Sequence, residues 1–144
     1  MDIASILATK GGPLITIRPE DSVRTAVQTL AEHNIGALIV VNDTGDLVGI
    51  VTERHIVREV AKNQRVLTQT VGEIMTRDVV TGAPHDDLQS VSIAMAGKRI
   101  RHLPVLDNGR LVGIISLGDV VRAQRDTYRG AVDTLETRIL GDTP

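Results

Sequence analysis

Ser116 and Asp119 lie three residues apart where an apolar segment gives way to a helical pattern. The segment Leu111–Ile115 is rich in β-branched residues and follows the turn sequence Asp107-Asn108-Gly109, so it predicts a strand. A hydroxyl followed three residues later by a carboxylate at a helix start has two interpretations. The pair caps the helix by satisfying its free N–H groups. Alternatively, the helix N-terminus receives an anionic ligand while the carboxylate accepts the paired hydroxyls of a ribose.

The chain contains this pattern twice. Leu47–Val51 is a second apolar segment, 64 positions before Leu111–Ile115, and the hydroxyl of Thr52 follows it. Further upstream the copies correspond at a spacing of 65, through the pairs Thr16 and Thr81, Pro19 and Pro84, Asp21 and Asp86, Ile35 and Ile100, Leu38 and Leu103, and Val40 and Val105. Because a solenoid needs about three repeats, we expect a closed pair related by a pseudo-two-fold axis.

The residue pattern of each copy predicts a strand, a helix, two strands and a second helix. The helical pattern is clearest after the capping residue Ser22, where apolar residues recur at the spacing of one helix face: Val23, Ala26, Val27, Leu30 and Ala31. The predicted strands are Leu14–Ile17, Ile35–Val41 and Leu47–Val51, then Val79–Thr81, Leu103–Leu106 and Leu111–Ile115. Short helices at Ile3–Ala8 and Val71–Met75 lead the two copies, and helices at Glu53–Asn63 and from Leu117 onward close them.

The composition excludes several classes of protein. The 144 residues are 42% hydrophobic, but Tyr128 is the one aromatic residue, so base stacking on aromatic side chains is not expected. A net charge of −2 lacks the basic excess of a general nucleic-acid binder. With no cysteine, the chain has no disulfide and no thiol chemistry. No apolar run approaches a membrane span and no signal peptide is evident, so we expect a cytoplasmic protein with no membrane partner.

The remaining polar residues do not form a catalytic or metal-binding pattern. The four histidines lack short metal-ligand spacings, so no metal is expected. No nucleophile lies beside a base and no glycine-rich phosphate loop is present, so the sequence predicts no catalytic residues and no enzyme. The basic run Lys98–His102 is typical of a solvated face, but it would favour phosphate contact if a nucleotide bound beside it.

The duplication together with the spacing Gly113, Ser116, Asp119 resembles a tandem pair of cystathionine-β-synthase (CBS) domains, known as a Bateman module. Arg101-His102-Leu103-Pro104-Val105 and Met75-Thr76 support this resemblance. It implies an α/β (α+β) fold of two β-α-β-β-α units packed as a pseudo-two-fold pair. We expect the first CBS domain at 1–64 with its short N-terminal helix, a linker at 65–70, the second CBS domain at 71–125, and a C-terminal helical extension at 126–144.

The resemblance also implies ligands and partners. Members of the family bind adenosyl compounds such as AMP, ADP, ATP or S-adenosylmethionine in clefts between the two units, and some hold NAD(H). They commonly associate as flat dimers. A homodimer with an adenine nucleotide ligand is therefore expected, and a separate effector protein is a further candidate partner.

Carried over to this chain, the family's binding positions are best preserved in the second copy. Asp119 matches the position that binds the ribose hydroxyls, and Ser116 matches the hydroxyl near the ribose or phosphate. The remaining matches are Val79, Val80 and Thr81 beside the adenine, Leu103 and Pro104 as an apolar wall, and Arg101 and His102 as phosphate-reading cations. A carboxylate accepts two hydroxyls at once, and an arginine fork matches phosphate oxygens.

The first copy departs from this pattern. His55 stands at the ribose-binding position, and Gly36-Ala37 replace Arg101-His102. A neutral histidine offers one acceptor and a protonated one offers none, so ribose binding is expected to be weaker there. Thr52 keeps the hydroxyl, and Arg54 and Arg58 remain candidates for phosphate contact.

Four functions are compatible with these observations. The leading hypothesis is a non-enzymatic sensor that binds an adenine nucleotide between its halves and changes shape or association with the ligand. Two alternatives are a structural dimerisation scaffold whose cleft is vestigial or empty, and an S-adenosylmethionine-binding module. The fourth is an enzyme acting on the bound nucleotide.

Overall fold

The structure is a computed structural model that describes residues 1–127. The first unit contains α1 (Ile3–Lys10), β1 (Thr16–Ile17), α2 (Val23–His33), β2 (Ala37–Val41), β3 (Leu47–Thr52) and α3 (Glu53–Lys62). The second contains α4 (Val71–Ile74), α5 (Leu88–Lys98), β4 (His102–Asp107), β5 (Arg110–Ser116) and α6 (Leu117–Thr127), after a 3₁₀ turn at Val66–Thr68. The predicted extension beyond position 127 lies outside the described residues.

The first sheet has the strand order β1-β2-β3, with β1 parallel to β2 and β2 antiparallel to β3. Strand β2 is buried along its whole length, as its uninterrupted apolar sequence predicts. Strand β1 comprises two residues, shorter than the predicted Leu14–Ile17. The β2-β3 hairpin brings Ala37 opposite Thr52, so the start of α3 lies beside the start of β2.

The second sheet has two strands, and the predicted strand Val79–Thr81 is not formed. Only Gly82 bridges to Val105, through bonds from Gly82 N–H to the Pro104 carbonyl and from Leu106 N–H to the Gly82 carbonyl, each 2.9 Å long. Pro104 has no N–H, so it cannot donate the next bond of a parallel ladder towards Val80. The segment before Gly82 therefore stays outside the sheet.

Side-chain caps start the main helices. Ser22, Thr52 and Asp87 each accept a hydrogen bond from the backbone N–H three residues later, at the N-termini of α2, α3 and α5. At the start of α6, Asp119 N–H donates to Ser116 Oγ over 3.1 Å, and Ser116 N–H donates to Asp119 Oδ2 over 2.8 Å. The capping interpretation of this pair is therefore confirmed, although it does not exclude a ligand.

The two leading helices exchange between the units. Ile3 N–H donates to the Asp86 carbonyl at 3.1 Å, and Ile3 and Ile6 belong to the core of the second unit. Conversely, Val71 N–H donates to the Asp21 carbonyl at 2.7 Å, and Val71 is buried in the core of the first unit. Each half of the molecule is therefore completed by a helix from the other half of the sequence.

Two aliphatic cores result, one beneath each sheet. In the first, Val23, Leu38, Val40, Val51 and Val66 are fully buried. In the second, Met95, Val105, Ile115 and Val120 have the same role. No helix among residues 1–127 is long and apolar enough to cross a membrane.

Candidate functional site

A cavity of about 470 Å³, here called the first cleft, lies between the two units. The first unit contributes Gly36, Ile50, Thr52, Glu53, Arg54, His55 and Arg58, and the second unit contributes Thr76, Asp78, Val79, Val80, Arg99, Ile100, Arg101 and His102. The cleft therefore exists only when both units are packed together. Its volume is within the range of small-molecule sites.

The charged groups of the first cleft are mainly cationic. Four arginines line it against two carboxylates: Arg54, Arg58, Arg99 and Arg101 against Glu53 and Asp78. The N-terminus of the ten-residue helix α3 opens into the same space, which adds the positive end of a helix dipole. The arrangement favours a ligand that carries negative charge.

Arg99 has a backbone conformation that is uncommon for its residue type. It caps α5 with φ of 56°, in the left-handed region, where its counterpart in the first copy is Asn34 with φ of 52°. Asparagine tolerates this region better than arginine does. The conformation turns the chain from α5 into β4, so that Arg99 and Arg101 both reach the first cleft.

Thr52 and His55 lie at the start of α3. Thr52 Oγ1 accepts the His55 N–H at 3.1 Å, which leaves the hydroxyl hydrogen free to donate. His55 Nε2 lies 3.7 Å from Glu59 Oε1, one helical turn away. The imidazole therefore stands at the wall of the cleft where the second copy has a carboxylate.

His102 lies between the two units. A Cβ on Gly36 would stand 3.2 Å from two atoms of the His102 ring, so the missing side chain at position 36 is what admits the imidazole. Burial, reinforced by the nearby Lys10 cation, lowers the pKa of His102, while Glu53 and Asp119 act in the opposite direction. The ring is therefore held mainly neutral near pH 7.

Asp119 lines a different cavity of about 440 Å³, here called the second cavity, which is bounded by α1 and α6. Its Oδ2 accepts hydrogen bonds from Lys10 Nζ and Ser116 N–H, both at 2.8 Å, and its Oδ1 accepts one from Arg122 at 2.6 Å. Burial disfavours ionisation, but the bonds from Lys10 and Ser116 outweigh it and hold the pKa of Asp119 below its usual value. Asp119 is therefore an ionised carboxylate with both oxygens occupied.

The structure divides the predicted binding residues between these places. Thr52, Arg54, His55, Val79, Val80, Arg101 and His102 line the first cleft, whereas Asp119 lines the second cavity. Leu103 and Pro104, predicted as an apolar wall, are buried in β4, and Leu103 is packed in the second core. Thr81 is exposed, and Ser116 is partly buried as the α6 cap.

Sequence reasoning missed Lys10 and Asp78. Lys10 reaches Asp119 across 109 positions of sequence, and nothing in its local spacing indicates this pairing. Asp78 follows the Met75-Thr76 pair that marked the second copy, but an exposed acidic residue between two predicted elements carries no signal of its own. Among residues 1–127 no group of three or more histidines and carboxylates is arranged to hold a metal ion.

Comparison with known proteins agrees with this architecture. The family model described as "CBS domain" matches the chain twice, at residues 3–62 and 71–126. A CBS-domain-containing protein of Agrobacterium tumefaciens is 40% identical, and its crystal structure covers 86% of this chain and 99% of its own with a TM-score of 0.83.

Two further structures contain ligands. The CBS domain pair of protein MJ0100, in complex with 5′-methylthioadenosine and S-adenosyl-L-methionine, is 34% identical and covers 88% of this chain and 98% of its own, with a TM-score of 0.78. CBSX2 in complex with AMP is 30% identical and covers 81% and 90%, with a TM-score of 0.70. Two family matches over most of the sequence and a shared α/β architecture show that this chain is a member of the CBS-domain family, with two CBS domains in tandem.

Proposed function

We propose that the protein is a non-enzymatic sensor that binds a phosphorylated adenosyl nucleotide, such as AMP, ADP or ATP, in the first cleft. The observation that carries this proposal is a cavity built by both units and surrounded by four arginines. AMP and S-adenosyl compounds bound to CBS pairs of similar fold support an adenosyl ligand.

The walls of the first cleft match the parts of such a ligand. Val79, Val80 and Ile100 offer an apolar surface for an adenine ring. Arg54 and Arg58, one turn apart on α3, can both reach phosphate oxygens in the geometry of a guanidinium fork. Thr52 offers a hydroxyl to the ribose, whereas His55 offers at most one acceptor where a carboxylate would offer two oxygens.

Regulation would follow from the position of the cleft between two units. A ligand shifts an equilibrium only by the free energy with which it prefers one state over another. Because residues of both units touch the ligand, a bound nucleotide favours the arrangement in which the units are closest. The change in the arrangement of the units then alters the association of the protein with a second copy or with a separate effector protein.

A module for S-adenosylmethionine is the second candidate, because a similar CBS pair binds that compound. Its sulfonium is positively charged, so four arginines around the cavity favour a phosphate-bearing ligand over it. NAD(H), with two phosphates, agrees better with these charges. A vestigial cleft in a dimerisation scaffold would not require the cationic side chains to converge.

The homodimer, the effector and a cytoplasmic location belong to the same proposal. Exposed aliphatic side chains occur on four long helices: Val27 on α2, Val57 and Val60 on α3, Ile93 on α5 and Val121 on α6. Side chains of this kind, exposed by up to 67%, are suited to contact with a second copy of the chain.

The proposal is tested by titrating the purified protein with AMP, ATP, NADH and S-adenosylmethionine in a calorimeter. We expect the phosphorylated nucleotides to bind more tightly than S-adenosylmethionine. Arg101→Ala should weaken AMP binding by about tenfold or more, because a charge-assisted bond to phosphate is lost. Arg110→Ala is the matched control, since Arg110 is exposed at the start of β5 and lines neither cavity.

One outcome would contradict the sensor, and another would contradict the first cleft as its phosphate site. Absence of heat with every ligand, together with no compound released from freshly purified protein by heat denaturation, favours the scaffold. Equal affinity of the Arg101→Ala and Arg110→Ala variants for AMP would move the phosphate away from the first cleft.

A further inference from the structure

The Asp119 carboxylate already forms an ion pair with the side chain of Lys10. Lys10 Nζ donates to Asp119 Oδ2 and to the Ile114 carbonyl, both at 2.8 Å. The Asp119 side chain is 10% exposed in this arrangement, and that of Lys10 is 38% exposed. The ammonium therefore covers the carboxylate on the side of the second cavity, which both residues line.

Lys10 lies at a point in the chain from which its side chain can move away from Asp119. It is the last residue of α1, and Gly11 and Gly12 follow it with φ of 61° and 81°. Among residues 1–127, no atom beyond the adjoining residues lies within 4 Å of where a Cβ of either glycine would stand. A lysine side chain is also long and freely rotating, so the Nζ atom can move several ångströms without unfolding α1.

The carboxylate cannot accept a ribose while all these bonds remain. Ser116 N–H is part of the α6 cap and stays in place, and Arg122 holds the other oxygen. Each carboxylate oxygen has two lone pairs, so Oδ1, which accepts one bond from Arg122, can still accept one ribose hydroxyl, whereas Oδ2 already accepts two bonds. A second hydroxyl at Oδ2 therefore requires Lys10 to give way. An uncharged nucleoside leaves the displaced ammonium without a partner, whereas a nucleotide offers it a phosphate.

We propose that Lys10 is a specificity-determining residue of the second cavity, which closes Asp119 to uncharged nucleosides and yields to phosphorylated ones. This inference rests on the proposed function, because it takes adenosyl compounds as the ligand class. It extends that function by assigning a selection rule to a second site. The competing interpretation is an ion pair that only holds α1 on the second unit.

The test is a pair of titrations, with adenosine and with AMP, followed at individual backbone amides by NMR. The amides of Ser116 and Asp119 report on the second cavity, and those of Thr52 and His55 report on the first cleft. In Lys10→Met, which keeps the apolar stem, adenosine affinity at Asp119 should rise about fivefold while AMP affinity falls. The preference for AMP over adenosine at this site should therefore shrink by about tenfold or more.

Two further variants separate charge from folding. Lys10→Arg keeps a cation at the same place and should keep most of the preference for AMP. Lys62→Met removes a lysine that is 74% exposed at the end of α3, and it should leave both titrations unchanged. Thermal denaturation of each variant confirms that it is folded before it is titrated.

The outcomes distinguish this inference from the proposed function. If AMP shifts the Thr52 and His55 amides but never those of Ser116 and Asp119, the inference fails and the sensor stands. If Lys10→Met binds both ligands at Asp119 with the wild-type ratio, Lys10 is only structural. If no amide responds to either ligand in any variant, the proposed function and the inference are both wrong.

Discussion

Single side chains give the two cavities different chemistry. The second copy has Asp119 where the first has His55, and the first copy has Gly36 where the second has Arg101. The small residue at position 36 makes room for the ring of His102, and Asp119 is one of the charged groups that act on that ring. The pseudo-symmetry of the sequence therefore produces two sites with different chemistry.

His102 should make the stability of the protein depend on pH. Its folded pKa lies below the usual 6.5, so the unfolded chain takes up the proton first as the pH falls. The contribution of the neutral His102 ring to the free energy of unfolding is fully present above about pH 6.5, and it is lost as the pH falls from there towards the folded pKa. The charged groups that act on the ring are Lys10, Glu53, Asp119 and Arg101.

The measurement is urea denaturation at pH 7.5 and pH 5.5. The free energy of unfolding should fall less between these values in His102→Gln than in the parent protein. His33→Gln, at the exposed end of α2, serves as the control and should behave as the parent does. Identical losses in all three proteins would show that His102 does not carry this dependence.

At the scale of elements, hydrophobic periodicity and caps were sufficient to predict most of the fold. The Ser22 cap and the apolar face that follows it predict α2, and β2 and β3 lie within two residues of their predicted bounds. The prediction of a strand at Val79–Thr81 was wrong, although Pro104, the residue that prevents it, is visible in the sequence. Its effect depends on which strand lies beside it, and that is a property of the fold.

The candidate site was less predictable than the elements. The resemblance assigned Thr52 to a site of the first copy, and it assigned Val79 and Arg101, together with Asp119, to a site of the second copy. The structure instead brings Thr52, Val79 and Arg101 to the first cleft and places Asp119 at the second cavity. The resemblance aligns positions within one copy, whereas each cavity is built from both. The bond from Lys10 to Asp119 depends on the exchange of α1 between units, which no local spacing encodes.

Two glycines should respond in opposite ways to alanine. A Cβ on Gly49 in β3 would stand 2.5 Å from Met75 Sδ and 3.0 Å from the Thr76 carbonyl oxygen, so Gly49→Ala should cost about 1–3 kcal/mol of stability. Gly97 lies in α5, and no atom outside this helix in the part of the chain that the structure describes is within 4 Å of its Cβ position, so Gly97→Ala should add about 0.5–1 kcal/mol of stability. Chemical denaturation of the two variants measures both effects, and a stable Gly49→Ala would contradict the close packing of β3 on Met75.

At the scale of the whole molecule, the exchanged helices make each unit depend on the other. Ile3 is fully buried in the second core although α1 belongs to the first unit in sequence order. Ile3→Ala should cost about 2–5 kcal/mol, as other large-to-small core substitutions do. The loss should appear mainly as weaker protection of amides in β4 and β5.

Hydrogen exchange measures where that loss falls. Val71→Ala is the reciprocal control, because Val71 is equally buried but lies in the first core. It should weaken protection in β2 and β3 more than in β4 and β5. Equal loss across both sheets in both variants would mean that the molecule opens as one cooperative unit.

The exchange also sets an order of assembly during synthesis. The chain leaves the ribosome from its N-terminus, so α1 emerges long before Asp86, β4 and β5, the parts of the second unit that it joins. An isolated helix of eight residues is not stable in water, so Ile3 and Ile6 have no durable partner in this interval. The first unit is complete once α4 has emerged, and it can fold while translation continues. Helix α1 is therefore made before the first unit but packs among the last elements, and anything that captures α1 during synthesis would arrest folding of the second unit.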